Sequence, residues 1–175
     1  MTDVGFRVAL DVVKAPRDVT RRFQNALARG LNEGGDRVRT QFQRGLWKQT
    51  GAKQYKSITS RVRNQRAHAG GLVYAIIGTG KGMPIKEFPV GLSGGHVLGM
   101  PWGTAHLFAR SFGIQGRGVD GFRARLSSKR FPIRKLYGPS VPKEMGLGAM
   151  PALFLFSAQE FVPPAIVKHL SKAMG

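Results

Sequence analysis

The feature that most restricts the fold is a long apolar stripe at helical spacing in the first third of the chain. Apolar residues recur there at steps of three, four and seven: Val19, Phe23, Ala26, Leu27, Leu31, Val38, Phe42 and Leu46. This period places them on one face of an α-helix. The sequence therefore predicts an amphipathic helix from Arg17 to about Lys48. A bend is expected at Gly34 and Gly35, because each glycine costs about 1 kcal/mol in a helix relative to alanine.

A period of two precedes this helix. Val4, Phe6, Val8, Leu10 and Val12 alternate with smaller or polar residues. Such alternation predicts a strand with one buried face over residues 4–13.

Short strands are predicted after Thr50 and Gly51, which close the helix. SITSRVRNQRA and GGLVYAIIGTG are predicted to pair through a turn at AHAGG. MPIKEFP, with a proline near each end, is predicted as an edge strand, and the glycine-rich residues 89–104 as a long loop. AHLFARSFGIQGR, GVDGFRARL and RFPIRKLYG are predicted as further strands.

Helices are predicted near the C-terminus. SVPKEMGLG predicts a short helix with Ser140 as N-cap and Pro142 in its first turn. MPALFLF leads to SAQEF, which has capping-box spacing, and a terminal helix is expected after Pro163 and Pro164. The order predicts a single α+β domain over residues 1–175, with a long N-terminal amphipathic helix packed on a mostly antiparallel β-sheet and with C-terminal helices.

The charge of the chain points to a polyanionic or acidic partner. The sequence has 28 Lys and Arg against 9 Asp and Glu, a formal net charge of +19. Self-repulsion of this size destabilises a compact monomer unless negative charge is set against it. The absence of cysteine excludes disulfides and thiolate metal sites and fits a reducing cytoplasm. The longest apolar run, LVYAII at residues 72–77, is too short to span a bilayer, so no membrane partner is expected.

Two motifs could suggest an enzyme, but their context argues against it. GTGKG at residues 78–82 is not followed by the Lys-Ser/Thr pair and the helix that a phosphate-binding loop requires. GLSGG at residues 91–95 matches G-x-S-x-G, and Ser93, Asp120 and His169 follow hydrolase order, yet Ser93 lies in a glycine-rich stretch without the required strand and helix. The histidines and carboxylates are too scattered for a metal site or a carboxylate pair. We therefore expect a protein that is not an enzyme and has no cofactor.

Basic residues on two predicted strands are the candidates for partner contact. Arg61 and Arg63 share one strand face, and Arg123 and Arg125 share another. Side by side, the two strands would form a ridge of guanidinium groups suited to phosphate backbone, without solvent-facing aromatic rings for base stacking. A merely solvated sheet face is the alternative. The residues predicted to contact DNA or an acidic partner are Arg61, Arg63, Arg66, Arg123, Arg125, Lys129 and Arg130.

The stretch RFPIRKLYGPSVP at residues 130–142 resembles the minor tail protein Z family, the tail-completion proteins of long-tailed bacteriophages. The resemblance extends over residues 17–173. It is most specific at Phe131, Pro132, Ile133, Leu136, Tyr137, Gly138, Pro139, Ser140, Val141 and Pro142. It implies a structural virion protein at the head-proximal end of the tail that helps to join tail and head, assembled in the host cytoplasm.

The same resemblance implies a homo-oligomeric ring, hexameric to match the tail tube. Its implied partners are tail terminator, tail tube or neck (connector) proteins and the packaged DNA end. In such a ring we expect subunit contacts through Phe131, Tyr137, Leu153, Phe154, Leu155 and Phe156. The alternative is a free basic nucleic-acid-binding protein without sequence specificity, which a salt titration of DNA binding would distinguish.

Overall fold

A computed structural model describes residues 4–9, 17–114 and 121–174 of the chain. The predicted fold class is confirmed: a long N-terminal helix packs with small antiparallel sheets and a long C-terminal helix. The described strands form three sheets of three strands each.

The first helix, α1, spans Arg17–Thr50, close to the predicted bounds. Leu31, Val38, Phe42 and Leu46 are fully buried along one face, as the apolar period predicted. At its end the Thr50 hydroxyl donates a hydrogen bond to the Leu46 carbonyl oxygen at 2.8 Å. Gly51 follows with φ of 69°, a left-handed conformation that commonly ends helices at glycine.

Glycines in α1 allow a close approach between two helices. The helix runs without interruption through Gly34 and Gly35, where a bend was expected. A Cβ atom on Gly34 would lie 2.8 Å from the Cα of Val162, and one on Gly30 would lie 2.6 Å from the Cα of Ile166. Both contacts are with the C-terminal helix. The cost of glycine in α1 is therefore offset by helix packing.

The first sheet has the strand order β1-β3-β2, with β1 at Val4–Ala9, β2 at Val62–Gln65 and β3 at Val73–Gly78. The predicted N-terminal strand is confirmed over Val4–Ala9, and residues 10–13 lie outside the described residues. The predicted pairing of the next two strands is also confirmed, with a bridge between His68 and Gly71 at the turn. A short helix, α2 at Lys56–Thr59, precedes β2.

The prediction of a loop over residues 89–104 is wrong, because most of it forms a β-hairpin. Strands β4 at Val90–Ser93 and β5 at His96–Gly99 pair around Gly94 and Gly95, whose φ angles are 55° and 79°. Two consecutive left-handed glycines suit the tight turn of a two-residue hairpin. The strand β6 at His106–Phe108 completes this sheet. The predicted edge strand MPIKEFP is also wrong, since Ile85–Glu87 form a 3-10 turn.

The third sheet carries the strand that the family resemblance singled out. It consists of β7 at Ser111–Ile114, β8 at Gly121–Arg125 and β9 at Ile133–Lys135. The chain after β9 is bonded on both sides. Leu136 donates its N–H to the Phe122 carbonyl at 3.1 Å and accepts one from Ile85 at 3.0 Å. The predicted short helix follows as α3 at Val141–Met145.

The last helix, α4 at Met150–Met174, is continuous, whereas the sequence predicted a cap at SAQEF and a new helix after Pro164. Ser157 is buried inside the helix, so it is not an N-cap. Pro163 and Pro164 lie within the helix and are exposed. An interior proline removes a hydrogen bond at a cost of about 3 kcal/mol. Packing of α4 against α1 offsets this cost.

Aromatic packing joins β1, α1 and α4. The rings of Phe6 and Phe154 stack with centroids 4.6 Å apart, and Phe42 meets Phe6 edge-on at 5.4 Å. These rings contact a hydrophobic core of buried residues that extends from α1 through the sheets to α4.

By length and composition alone, α4 could cross a membrane. This helix was missed in the prediction from the run LVYAII, because its apolar residues are interrupted by Gln159, Glu160 and the two prolines. Only 28% of its apolar window is buried, on the face that carries Phe154, Val162 and Ala165.

Candidate functional site

Most of the acidic side chains that the structure describes take part in internal hydrogen bonds. Of the nine Asp and Glu residues, Asp3, Asp11, Asp18 and Asp120 lie outside the described side chains. Four of the other five, Glu33, Asp36, Glu87 and Glu144, accept hydrogen bonds from side chains within the chain. Little negative charge is therefore left to balance the cations on the described surface.

Glu87 binds Arg61 through both carboxylate oxygens. The two guanidinium N–O distances are 3.0 and 2.8 Å, and Arg61 also donates to the Ser57 carbonyl oxygen at 2.7 Å. Both side chains are less than one quarter exposed. Arg61 was predicted to contact DNA, but these bonds hold its guanidinium inside the fold. It ties α2 and β2 to the 3-10 turn Ile85–Glu87.

The Asp36 carboxylate on α1 interacts with several hydrogen-bond donors. It accepts a hydrogen bond from the Tyr74 hydroxyl at 2.7 Å and pairs with Arg66 and with Arg39. Burial, with Asp36 as a further cause, raises the pKa of Tyr74 above its ordinary value of 10.0. Arg66 was predicted as a partner contact; its side chain is 62% exposed, so it can meet a partner only beside this internal pair.

Glu33 fastens the end of α4 to α1. Lys168 donates to its carboxylate at 2.8 Å, His169 lies 2.9 Å from the other oxygen, and Arg37 lies 3.1 Å away. Hydrogen bonds from Lys168 and then His169 lower the pKa of Glu33 from 4.5 to about 2.

Glu144 on α3 is buried, and its described donors are neutral. Trp102 donates its indole N–H at 2.9 Å, and the Gln49 amide donates at 2.8 Å. Trp102 has a left-handed backbone, with φ of 55°. This arrangement fixes the 3-10 turn Pro101–Gly103 against the end of α1 and is structural in character.

The predicted ridge of arginines is wrong, because its two strands belong to different sheets. Arg63 is exposed on β2, which pairs with β3, whereas β8 lies between β7 and β9. Arg123 and Arg125 do share one face of β8, since Ala124 between them is buried. The guanidinium group of Arg125 lies 5.5 Å from the ring centre of Phe112.

The other two predicted contact residues are exposed on the connection from β8 to β9. Lys129 is exposed, and the guanidinium group of Arg130 lies 5.6 Å from the ring centre of Phe131. Both cations remain accessible to a partner.

A pocket of about 160 Å³ gathers cations from three segments. Lys86 comes from the 3-10 turn, Arg123 from β8 and Lys135 from β9, and Tyr137 also lines the pocket. Sequence analysis selected Arg123 and Tyr137 but missed Lys86 and Lys135. Lys135 could have been found only from the register of β8 and β9, which the sequence alone does not reveal. We call this the Lys86 pocket.

A second cationic cleft, of about 500 Å³, lies between the first part of α1 and the end of α4. Its charged lining residues are Arg22, Arg29 and Lys172, and His169 also lines it. The only described carboxylate bonded to any of them is Glu33, which His169 contacts. Both openings therefore favour anions.

The predicted subunit-contact residues differ in exposure. Phe131 and Tyr137 are 62% and 51% exposed, and Leu155 and Phe156 are 60% and 65% exposed, so these four are free to meet a partner. Phe154 is only 4% exposed, which corrects its assignment, since its ring belongs to the core. Leu153 is half-buried and packs on the same core.

The residues of the rejected hydrolase motif do not form a described triad. Ser93 ends strand β4 of a hairpin and is exposed, so it is not on a strand-to-helix elbow. Asp120 lies outside the described residues, and His169 contacts Glu33. Within residues 4–9, 17–114 and 121–174, no group of His, Asp and Glu side chains could hold a metal ion.

No family model, no curated protein and no solved structure matches this chain.

Proposed function

We propose that this chain is a structural, non-enzymatic virion protein: a tail-completion subunit that forms a ring at the head-proximal end of a phage tail and faces DNA with its cationic surface. The observation that carries the proposal is that most of the described acidic side chains form bonds inside the fold. Of the described carboxylates, only Glu160 is exposed without an internal bond, so little described negative charge offsets the surface cations behind the formal charge of +19. Such a surface needs negative charge from a partner.

The outer face of α4 supports assembly into an oligomer. Leu155, Phe156, Val167 and Met174 are each at least 60% exposed on this helix. Exposed apolar residues gathered on one element are typical of interaction sites. A ring would bury them between neighbouring subunits and would multiply the charge that each subunit presents.

The strand and corner that carry the family resemblance are at the surface. Phe131 and Tyr137 are exposed on either side of β9, while Leu136 and Val141 are buried. This arrangement exposes part of the stretch RFPIRKLYGPSVP to a partner, while its buried residues hold it in the core. It therefore supports a role for this stretch in contacting a partner.

Immunogold labelling of purified virions tests the tail assignment. With an antibody against this chain, gold should lie at the junction of head and tail in virions of the phage that encodes it. An antibody against the major capsid protein is the control and should label the head. Virions without the chain would contradict the assignment.

A free nucleic-acid-binding protein without sequence specificity is the second candidate, and the two cationic openings favour it. It predicts the same DNA binding in solution but no chain in purified virions. The labelling experiment therefore separates the two functions.

A further inference from the structure

The Lys86 pocket contains a pair of like charges that no described carboxylate balances. Arg123 on β8 and Lys135 on β9 are direct cross-strand partners. Residues so placed have Cβ atoms about 5 Å apart, and like charges there are destabilising. A third cation, Lys86, lines the same pocket.

The carboxylate that follows Lys86 in the sequence is engaged elsewhere. Glu87 follows Lys86 directly, but both of its oxygens bind Arg61. No Asp or Glu is among the residues that line the pocket in the described part of the chain. Within the described residues these three cations have no carboxylate at the pocket, and an anion from outside is a fitting counter-charge.

The pocket walls are held in place by backbone bonds. Ile85 donates its N–H to Leu136 at 3.0 Å, and Gly138 donates to Met83 at 2.8 Å. Ile85 and Met83 are fully buried, so the turn that carries Lys86 is anchored in the core. The cations thus sit on a scaffold that does not have to fold around the ligand.

The size of the pocket suits a single anionic group better than a whole small molecule. Pockets that enclose whole small molecules measure about 300–1,000 Å³, whereas this one measures about 160 Å³. A phosphate group that belongs to a longer molecule fits this size, and the rest of the molecule then lies outside the pocket.

An exposed aromatic ring stands at the rim. Tyr137 lines the pocket and is 51% exposed. A ring beside a phosphate site can stack an unpaired base, because every base has an aromatic face. The bases of a duplex are already stacked and do not offer such a face.

We propose that the Lys86 pocket binds one phosphate of a single-stranded nucleic acid, with the adjacent base stacked on Tyr137. Lys86, Arg123 and Lys135 surround the phosphate and relieve their mutual repulsion by doing so. The inference rests on the proposed use of the cationic surface for DNA, and it adds a defined site for an unpaired strand.

Fluorescence anisotropy with a labelled oligo-dT strand of about twelve nucleotides tests the phosphate site. The variant Arg123→Gln/Lys135→Gln should bind the strand about tenfold more weakly than the natural chain, because it loses charge-assisted hydrogen bonds. The matched control Arg44→Gln/Lys53→Gln loses the same two charges at exposed positions outside the pocket. Its affinity should fall less than about threefold.

The variant Tyr137→Leu tests the stacking step separately. It should weaken binding to the single strand about tenfold and leave binding to a duplex of equal length unchanged. Competition with inorganic phosphate distinguishes a free ion from a strand: phosphate alone should displace the oligonucleotide only at concentrations far above that of the strand.

Thermal unfolding distinguishes unbalanced cations in the pocket from cations that stabilise the fold. In a buffer without phosphate, Lys135→Gln should raise Tm by about 1–3 °C, because it removes the like-charge pair. A fall in Tm would contradict an unbalanced pocket.

Two failures are distinguishable. If the pocket variants and the control lose affinity equally, the pocket inference is overturned and the general cationic surface remains. If the natural chain binds neither single strand nor duplex, the proposed function loses its DNA contact as well.

Discussion

Arg61 and Glu87 form a two-bond ion pair inside the fold, with N–O distances of 2.8 and 3.0 Å. This pair distinguishes a structural arginine from an exposed one. Arg61 stabilises the fold, whereas Arg63, two residues later, is exposed and free to contact a partner. The consequence for DNA binding can be measured.

Arg61→Ala should lower the free energy of unfolding by about 1–3 kcal/mol, because it leaves the Glu87 carboxylate without its donors. It should leave the salt dependence of duplex binding nearly unchanged. Arg63→Ala is the matched control: unfolding should change by less than about 0.5 kcal/mol, while the salt slope should fall by about 1. Urea unfolding and a salt titration check both, and the opposite pattern would restore Arg61 as a DNA contact.

Gly34→Ala should destabilise the protein although alanine is the better helix former. The new Cβ would lie 2.8 Å from the Cα of Val162, and overpacking of this kind costs about 1–3 kcal/mol, more than the gain in helix propensity of about 1 kcal/mol. The control is Gly91→Ala, whose added Cβ meets nothing within 4 Å. Equal stability of both variants in urea would contradict close packing of α1 and α4.

The ion pair network at Glu33 predicts loss of stability in acid. Its pKa is about 2 in the folded protein against 4.5 ordinarily. A lowered folded-state pKa gives stability that is present above pH 4.5 and lost as the pH falls towards 2. The natural chain should therefore exceed Glu33→Gln in Tm at about pH 6 and approach it at about pH 2. A Tm difference independent of pH would argue against the network.

Two phenylalanines on α4, two positions apart in the sequence, should give opposite results. Phe154→Ala should cost about 3–5 kcal/mol, because it opens a cavity beside Phe6 and Phe42. Phe156→Ala should change stability little and should weaken self-association, since its side chain is 65% exposed. Urea unfolding and sedimentation velocity measure the two effects. Self-association unaffected by Phe156→Ala would remove this face of α4 from the proposed ring.

The long helix could be predicted because its evidence is local. The apolar period over Leu31, Val38, Phe42 and Leu46 is carried by residues within four turns of one another. The hairpin at β4 and β5 was missed because glycines dilute its alternation: Gly91 and Gly99 occupy strand positions, and Val97 is the one fully buried hydrophobic residue of these two strands. The Gly94-Gly95 pair was the available signal.

The candidate site could be predicted only in part, because long-range pairing decides it. Arg123 and Tyr137 were selected from their own neighbourhoods, but Lys135 matters through its register with Arg123. Arg61 was predicted to contact DNA, but it pairs with Glu87, 26 residues away in the sequence. The continuous helix through Pro163 and Pro164 likewise depends on packing against Gly30 and Gly34 of α1.

Binding of a labelled duplex of arbitrary sequence, measured by anisotropy between about 50 and 200 mM salt, tests the central claim that the cationic surface serves to hold nucleic acid. We predict micromolar or tighter binding at the lowest salt, a steep decline in affinity as salt rises, and equal affinity for a second duplex of unrelated sequence. No binding at the lowest salt, or an affinity insensitive to salt, would contradict the claim.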